Sequence, residues 1–193
     1  MEIRESGMPE LERWESFFDP NAILLTFGLS PREKIIIDFG CGYGTFSIAA
    51  AEISLGEVYA FDNNEVFLAE CRNRATEKGL EKVHCIQRDF VKEGVGMQSN
   101  SADFVMLFNI LHADNPIDIL LEAHRVLAPG GRAAVIHWNY DPLTPRGPSM
   151  DIRPKPEQCQ IWMKEAGFEF VTPKFEFPPY HYGLLGQKKK KII

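Results

Sequence analysis

Three glycines alternate with other residues directly after an acid in Asp38-Phe39-Gly40-Cys41-Gly42-Tyr43-Gly44-Thr45, and the acid follows Ile35, Ile36 and Ile37. β-branched side chains suit a pleat covered on both faces, so the isoleucines predict a buried parallel strand. Glycine has no Cβ, which lets the chain turn sharply after that strand and lets a ligand approach the backbone. The alanine-rich stretch from Thr45 to Ile53 predicts a helix whose N-terminus faces the same ligand. A strand, tight loop and helix of this kind is a cofactor seat. Its spacing argues against two common occupants. The dinucleotide pattern GxGxxG, read from Gly40, meets Thr45 at its last place, and read from Gly42 it meets Ser47. A P-loop ends in Gly-Lys-Ser/Thr, and no lysine stands between Lys34 and Lys78. Asp38 adds a sign, because a carboxylate at the mouth of the loop repels pyrophosphate and favours a ligand carrying an ammonium or a sulfonium.

Further residues that bear on chemistry fall at the ends of predicted strands. Glu57 to Phe61 reads as a second strand ending at Asp62, and an acid there accepts hydrogen bonds from both ribose hydroxyls of an adenosine ligand. Asn63 and Asn64 follow, with Asn64 placed to cap the helix that runs through Phe67, Leu68 and Cys71 to Lys78-Gly79. Lys82 to Gln87 is a third strand, ending in Arg88-Asp89-Phe90. Ala102 to Phe108 is a fourth, and its exit is Asn109-Ile110-Leu111-His112-Ala113-Asp114. Carboxyl ends of parallel strands face the ligand crevice, so Asn109 and His112 border the reacting group. With an ordinary pKa of about 6.5, His112 is the candidate general base, and holding the loop or the ligand is its other available role.

The series Asp38-x-Gly40-x-Gly42-x-Gly44, Val58-Tyr59-Ala60-Phe61-Asp62, Gln87-Arg88-Asp89-Phe90, Ala102-Asp103-Phe104-Val105 and Val126-Leu127-Ala128-Pro129-Gly130-Gly131 resembles class I S-adenosylmethionine-dependent methyltransferases. The likeness runs from Glu33 to Trp138 and is greatest to the small enzymes grouped with those of ubiquinone and menaquinone biosynthesis. It implies S-adenosyl-L-methionine as cofactor, with contacts from Asp38, Gly40, Cys41, Gly42, Gly44, Asp62, Asn63, Asp89, Phe90 and Asn109. Asp89 would accept from the adenine amino group, and Phe90 would offer a backbone N–H or an apolar wall. His112 is the candidate catalytic group by its place at the exit of the fourth strand, not by the resemblance.

These residues need a scaffold, and 193 residues with 45% hydrophobic content suffice for one core. A helical cap is expected over 1–30: Leu11, Trp14, Phe17 and Phe18 share a helical spacing from Pro9 to Phe18, and Asp19-Pro20 breaks that helix and caps the next. Packing on the sheet's helices is the plainer role for this stripe. Related methyltransferases fold the same segment over the cofactor mouth, so Trp14, Phe17 or Phe18 lining a pocket is the alternative. The domain proper is expected over 31–193. Pro116 to Leu127 reads as a helix stopped by Pro129-Gly130-Gly131, and Arg132 to Trp138 as strand five. At its end Trp138 and Tyr140 are placed to wall an acceptor pocket and His137 to be a second proton acceptor, with packing or turn formation as the plainer role of each. The proline-rich loop from Asp141 to Pro156 carries Arg146 and Arg153, which read either as grips for an anionic acceptor or as solvated side chains. Glu157 to Gly167 is a helix, Glu169 to Phe177 and Tyr182 to Lys189 are two closing strands, and an aromatic cluster, Pro178-Pro179-Tyr180-His181-Tyr182, joins them.

The expected fold is α/β: a Rossmann-like, mainly parallel seven-stranded sheet with helices on both faces and a C-terminal antiparallel hairpin. Cys41, Cys71, Cys85 and Cys159 show no CxxC spacing, so neither a metal site nor a disulfide framework is indicated. A net charge of −6, with cations gathered in Lys188 to Lys191, argues against nucleic acid; that run reads as a solvated terminus or an edge-blunting charge block. No apolar run reaches the roughly 18 residues of a membrane helix, and Met1-Glu2-Ile3-Arg4-Glu5 does not read as a secretory signal, so a cytoplasmic location is the default. The expected activity is direct methyl transfer to a small-molecule acceptor of unspecified identity, with oligomeric state open. A non-catalytic module that binds the same cofactor and an NAD-dependent oxidoreductase are the alternatives.

Overall fold

A computed structural model describes residues 9–190. The first five residues and Lys191, on which two of the expectations above rest, lie outside the described residues. Among the described residues, five parallel strands form first: β1 (Ile35–Phe39), β2 (Glu57–Asp62), β3 (Val83–Gln87), β4 (Ala102–Phe108) and β5 (Leu127–Trp138). They stand in the order β3-β2-β1-β4-β5. Strand order therefore reverses between β1 and β4, and such a switch point opens a crevice at the strands' carboxyl ends. Helices α3 (Thr45–Ile53), α4 (Glu65–Glu77), α5 (Phe90–Glu93) and α6 (Pro116–Val126) make the crossovers.

Both faces of the sheet are apolar because both are covered. Ile36, Val58, Phe104, Met106, Ala134 and Ile136 pack toward α3 and α2 (Pro20–Thr26), from which Ile23, Leu24 and Phe27 descend. Ile37, Phe39, Phe61, Val105, Leu107 and Val135 face the other way, onto α6 and α7 (Pro156–Glu165). The Asp19 carboxylate accepts from the Ala22 N–H at 3.0 Å, so Asp19-Pro20 caps α2 as its sequence predicts. In front of it α1 spans only Leu11–Glu15, shorter than the expected Pro9 to Phe18, since the chain must leave helical geometry ahead of Pro20. At its far end α2 is fastened by Arg132, which donates to the carbonyls of Phe27 (3.0 Å) and Gly28 (3.2 Å) and pairs with Glu33 (2.6 Å).

The sheet closes with β8 (His181–Gln187), antiparallel to β5, as expected of a C-terminal hairpin. The seventh position is split. β6 (Phe170–Val171) pairs with Gln187 and Gly186, and β7 (Phe175–Phe177) pairs with Gly183 to His181. Pro173 interrupts them because it has no N–H to give the ladder. Thr172 bridges the gap: its N–H donates to the Leu185 carbonyl at 2.9 Å, and its Oγ1 accepts from the Leu185 N–H at 3.0 Å.

The terminal lysines do more than solvate an end. Lys188 Nζ donates to Asn100 Oδ1 (2.9 Å) and to the carbonyls of His124 (2.7 Å) and Leu127 (2.8 Å), neutralising the C-terminal end of α6. Lys189 pairs with Glu169 at 3.1 Å. Lys188→Met is expected to cost about 2 kcal/mol, the worth of charge-assisted bonds to carbonyls left without donors, and to lower Tm by roughly 5 °C. A thermal melt reads this directly, and an unchanged Tm would make Lys188 an ordinary solvated lysine. Among the described residues no helix is long and apolar enough to cross a membrane.

Candidate functional site

The loop between β1 and α3 occupies the crevice, and its backbone donors are largely committed. Gly40 N–H and Cys41 N–H both donate to the Phe61 carbonyl (2.8 and 3.0 Å), Gly42 N–H to Asp62 Oδ2 (2.9 Å), and Gly44 N–H to the Cys41 carbonyl (2.9 Å). A phosphate nest needs such N–H groups free to converge on an anion. This loop has spent them on itself and on the end of β2. Two of its glycines are required by geometry. Gly44 has φ +77°, and a Cβ there would stand 2.3 Å from Cys71 Sγ; Gly40 has φ +72°, and a Cβ would stand 2.9 Å from Ile110 Cγ2.

Two buried carboxylates define the charge of the crevice. Asp38 is 2% exposed and accepts from Ser47 Oγ at 2.6 Å. Burial pushes its pKa up to about 7; the Ser47 hydrogen bond opposes this and the neighbouring Asp62 adds to it. Asp62, at the tip of β2, accepts from Gly42 N–H and, on its other oxygen, from Asn64 N–H at 2.9 Å. Burial raises its pKa too, against the pull of those backbone donors. An acid with each oxygen taking one bond retains further lone pairs for a ligand. Asn63 is exposed beside it in the turn, and Asn64 Oδ1 caps α4 by accepting from Val66 N–H at 2.9 Å.

Asp89 and Phe90 flank the crevice at the end of β3. Asp89 caps the short α5 and pairs with Lys92 at 2.7 Å, so its carboxylate is held below the usual range by that ammonium. Phe90 is buried, its ring 5.3 Å from that of Phe39 and close to Gly40. At the exit of β4 Asn109 takes φ 57°, which asparagine tolerates better than most residues and which is still uncommon away from functional sites. Both of its side-chain amide atoms are buried without a protein partner. Such a group costs free energy unless something else meets it.

His112 is 4% exposed, with its Nδ1 3.3 Å from His137 Nε2. His137 points to the α7 side of the sheet, stacking on Tyr182, and burial, then the neighbouring His112, hold its pKa well below 6.5. A histidine from the loop after β4 and one from β5 thus form one buried pair.

The structure also supplies the location of the N-terminal segment. Tyr43 Oη donates to the Pro9 carbonyl at 3.2 Å, Thr45 Oγ1 to Glu15 at 3.4 Å, and Arg74 pairs with Glu15 while donating to the Tyr43 carbonyl at 2.9 Å. Segment 9–18 therefore crosses the glycine loop. Phe17 and Phe18 lie beyond it, against Trp138, Tyr180, His181 and Phe46. Trp138 is buried in this group, whereas Tyr140 is exposed.

Arg153 departs from its expected role. It is buried, and its guanidinium donates to the carbonyls of Asn139, Asp141, Arg146 and Pro148 and to Thr144 Oγ1. With its donors committed to carbonyls across 139–148, it shapes the proline-rich loop and grips no anionic acceptor. The residue missed by sequence reasoning is His181. Its signal, a histidine inside an aromatic run ahead of a strand, reads equally well as core.

Residues 31–167 match a family model described as a methyltransferase domain. Among curated proteins the chain is similar to cycloartenol-C-24-methyltransferase 1 of Oryza sativa subsp. japonica, 28% identical over 187 residues, which cover 88% of this chain and 52% of the relative. It is also similar to the ubiquinone biosynthesis O-methyltransferase of Pseudomonas aeruginosa, 28% identical over 155 residues, or 70% of this chain and 65% of that one. The chain thus spans about half the length of several curated relatives it matches. A solved SAM dependent methyltransferase from Aquifex aeolicus superposes with a TM-score of 0.79 at 24% identity, over 89% of this chain and 90% of that one. The [4+2]-cyclase SpnF superposes with a TM-score of 0.75 at 16% identity, over 88% of this chain and 81% of that one, a likeness of fold alone.

Proposed function

The chain belongs to the methyltransferase-domain family of class I S-adenosylmethionine-dependent enzymes, and from that premise we propose that it methylates a small-molecule acceptor by direct transfer. Bound S-adenosyl-L-methionine supplies the activated methyl group, so the protein's share is positioning and the exclusion of water. The observation that carries the proposal is the charge and donor balance of the crevice. The loop amides of Gly40, Cys41, Gly42 and Gly44 are committed within the protein, and two buried carboxylates with raised pKa values face the same loop. That suits a cationic nucleoside and suits a pyrophosphate badly, which weighs against the NAD-dependent alternative.

In this assignment Asp38, with Gly40, Cys41, Gly42 and Gly44, frames the amino-acid end of the cofactor. Asp62 and Asn63 take the ribose, and Asp89 and Phe90 border the adenine. The unpartnered amide of Asn109 and the His112–His137 pair border the methyl. His112 would accept the acceptor's proton and His137 would hold its ring. The Lys92 pair leaves Asp89 fewer lone pairs for the adenine amino group, so Phe90 carries more of that contact. Residues 1–30 would act as a helical cap on a 31–193 methyltransferase domain, a division supported by a family match that begins at 31. The relatives named for sterol and ubiquinone methylation support a small-molecule acceptor, and cytoplasmic action is consistent with such a role.

Calorimetric titration with S-adenosylhomocysteine and, separately, NADH tests the proposal. Micromolar binding of the thioether with none of NADH is expected; the reverse result would end it.

A further inference from the structure

Apart from the crevice residues, the most unusual polar side chain in the molecule is His181. It begins β8, pairs across the sheet with Trp138 at the end of β5, and so stands at the carboxyl edge where the crevice lies. It is 1% exposed, and neither ring nitrogen has a partner in the protein. Burying an imidazole with both nitrogens unmet is costly, and native proteins rarely keep such groups without a use.

Its surroundings say what kind of molecule could meet it. The imidazole lies between Trp138, 4.2 Å away centre to centre, and Phe18, at 4.4 Å. Phe17 packs on Trp138 at 5.3 Å and on Tyr180 at 5.8 Å. A chain of rings then leads back to the cofactor loop, from Phe18 to Phe46 at 5.2 Å and from Phe46 to Phe108, the last residue of β4, at 4.6 Å. No carboxylate is among these walls. Burial, and after it the Arg153 guanidinium, holds His181 neutral, its pKa pushed down to about 3. A cationic acceptor is disfavoured in such a place and a flat, uncharged one is favoured.

Resting on the methyltransferase assignment above, we propose that this aromatic group is the acceptor's seat: with segment 9–18 swung outward, a planar ring compound bearing an uncharged hydroxyl takes the place of Phe17 and Phe18 against Trp138 and Tyr180, and His181 accepts the hydroxyl's hydrogen bond. Entry is by way of segment 9–18. No residue of α1 is buried, and the segment's ties to the glycine loop are polar and partly buried, so swinging it outward breaks those few bonds and uncovers Pro9, Phe17 and Phe18. His181 selects and orients and does not take the proton, because an imidazole this weakly basic cannot deprotonate a phenol of pKa about 10. Selection also favours turnover, since the methylated product has lost the O–H and leaves His181 unmet again.

The test is a calorimetric titration with 2-naphthol and with 2-methylnaphthalene, a partner of the same shape without the hydroxyl, in the presence and absence of saturating S-adenosylhomocysteine. The expected result is a preference of about tenfold for 2-naphthol, against the greater hydrophobicity of the methyl compound, that disappears in His181→Phe. In histidine-15N-labelled wild-type protein, 2-naphthol should move the acceptor nitrogen of His181 upfield while 2-methylnaphthalene leaves it in place, a readout that does not depend on the variant folding. Equal affinities, a preference that survives His181→Phe, or an unmoved nitrogen would overturn the proposal. Failure of S-adenosylhomocysteine to bind would instead remove the cofactor assignment, and the naphthol comparison would still decide the seat.

Discussion

Replacing Asp38 by asparagine is expected to make the protein more stable and a much poorer cofactor binder. The carboxyl has a pKa of about 7 in the folded protein against an ordinary 3.8, chiefly because it is buried. Below pH 3.8 it is protonated in both states and costs nothing. Between 3.8 and 7 the unfolded chain gives up the proton while the folded one keeps it, so folding stability falls as pH rises; above 7 the penalty is complete. The difference between these two pKa values corresponds to at most about 4 kcal/mol at pH 8. Asparagine keeps an oxygen to accept from Ser47 Oγ and carries no charge, so Asp38→Asn should recover much of that penalty. Tm should rise by several degrees at pH 8 and hardly at all near pH 4.

The same substitution removes the charge assigned to the cofactor's ammonium, and affinity for S-adenosylhomocysteine should fall by about a hundredfold, the scale of a buried charge-assisted pair. In the wild type, binding to a protonated Asp38 must expel its proton, so affinity should rise by up to about tenfold per pH unit below 7 and level off above it. Calorimetry between pH 5.5 and 8.5 checks both. A flat profile together with undiminished affinity in Asp38→Asn would take the acid out of the site. A trade of stability for binding of this kind is what a functional buried charge produces.

Asp62→Ala should act through two losses at once. The carboxylate joins the glycine loop to the tip of β2 by accepting from Gly42 and Asn64, and in the proposed function its remaining lone pairs take the ribose. Alanine leaves the buried Gly42 N–H without an acceptor and the ribose without one, each worth about 1–3 kcal/mol, so cofactor affinity should fall by two to three orders of magnitude. Amide exchange distinguishes the two losses: faster exchange at Gly42 reports the loosened loop, while the calorimetric constant reports both. Wild-type affinity in Asp62→Ala would contradict the ribose assignment.

The parts of this molecule that the sequence determined by itself are those whose cause is local. Ile35 to Asp38 makes a strand and Gly40 to Gly44 makes a turn whatever lies elsewhere, because backbone sterics and β-branching act over a few residues. Asp19, Asn64 and Pro116 mark helix starts by the same short-range chemistry, and each begins the helix expected of it. The acid at the tip of β2 and the asparagine after β4 were legible because parallel strands present their carboxyl ends to one edge.

Only the tertiary structure decided where distant residues meet. Arg153 read as either a substrate grip or a solvated side chain, because a lone arginine in a loop shows nothing of the carbonyls that will surround it. Lys188 looked solvated until the fold set it over the end of α6. Pro173 was a visible interruption, but that Thr172 would carry the ladder past it depends on the register of β8. His181, Trp138 and Phe18 come from the last strand, the fifth strand and the N-terminal segment, and no pattern along the chain relates them. Contacts across such separations are set by the closing of the whole core, and they shape the acceptor's side of the crevice, whereas contiguous residues shape most of the cofactor's.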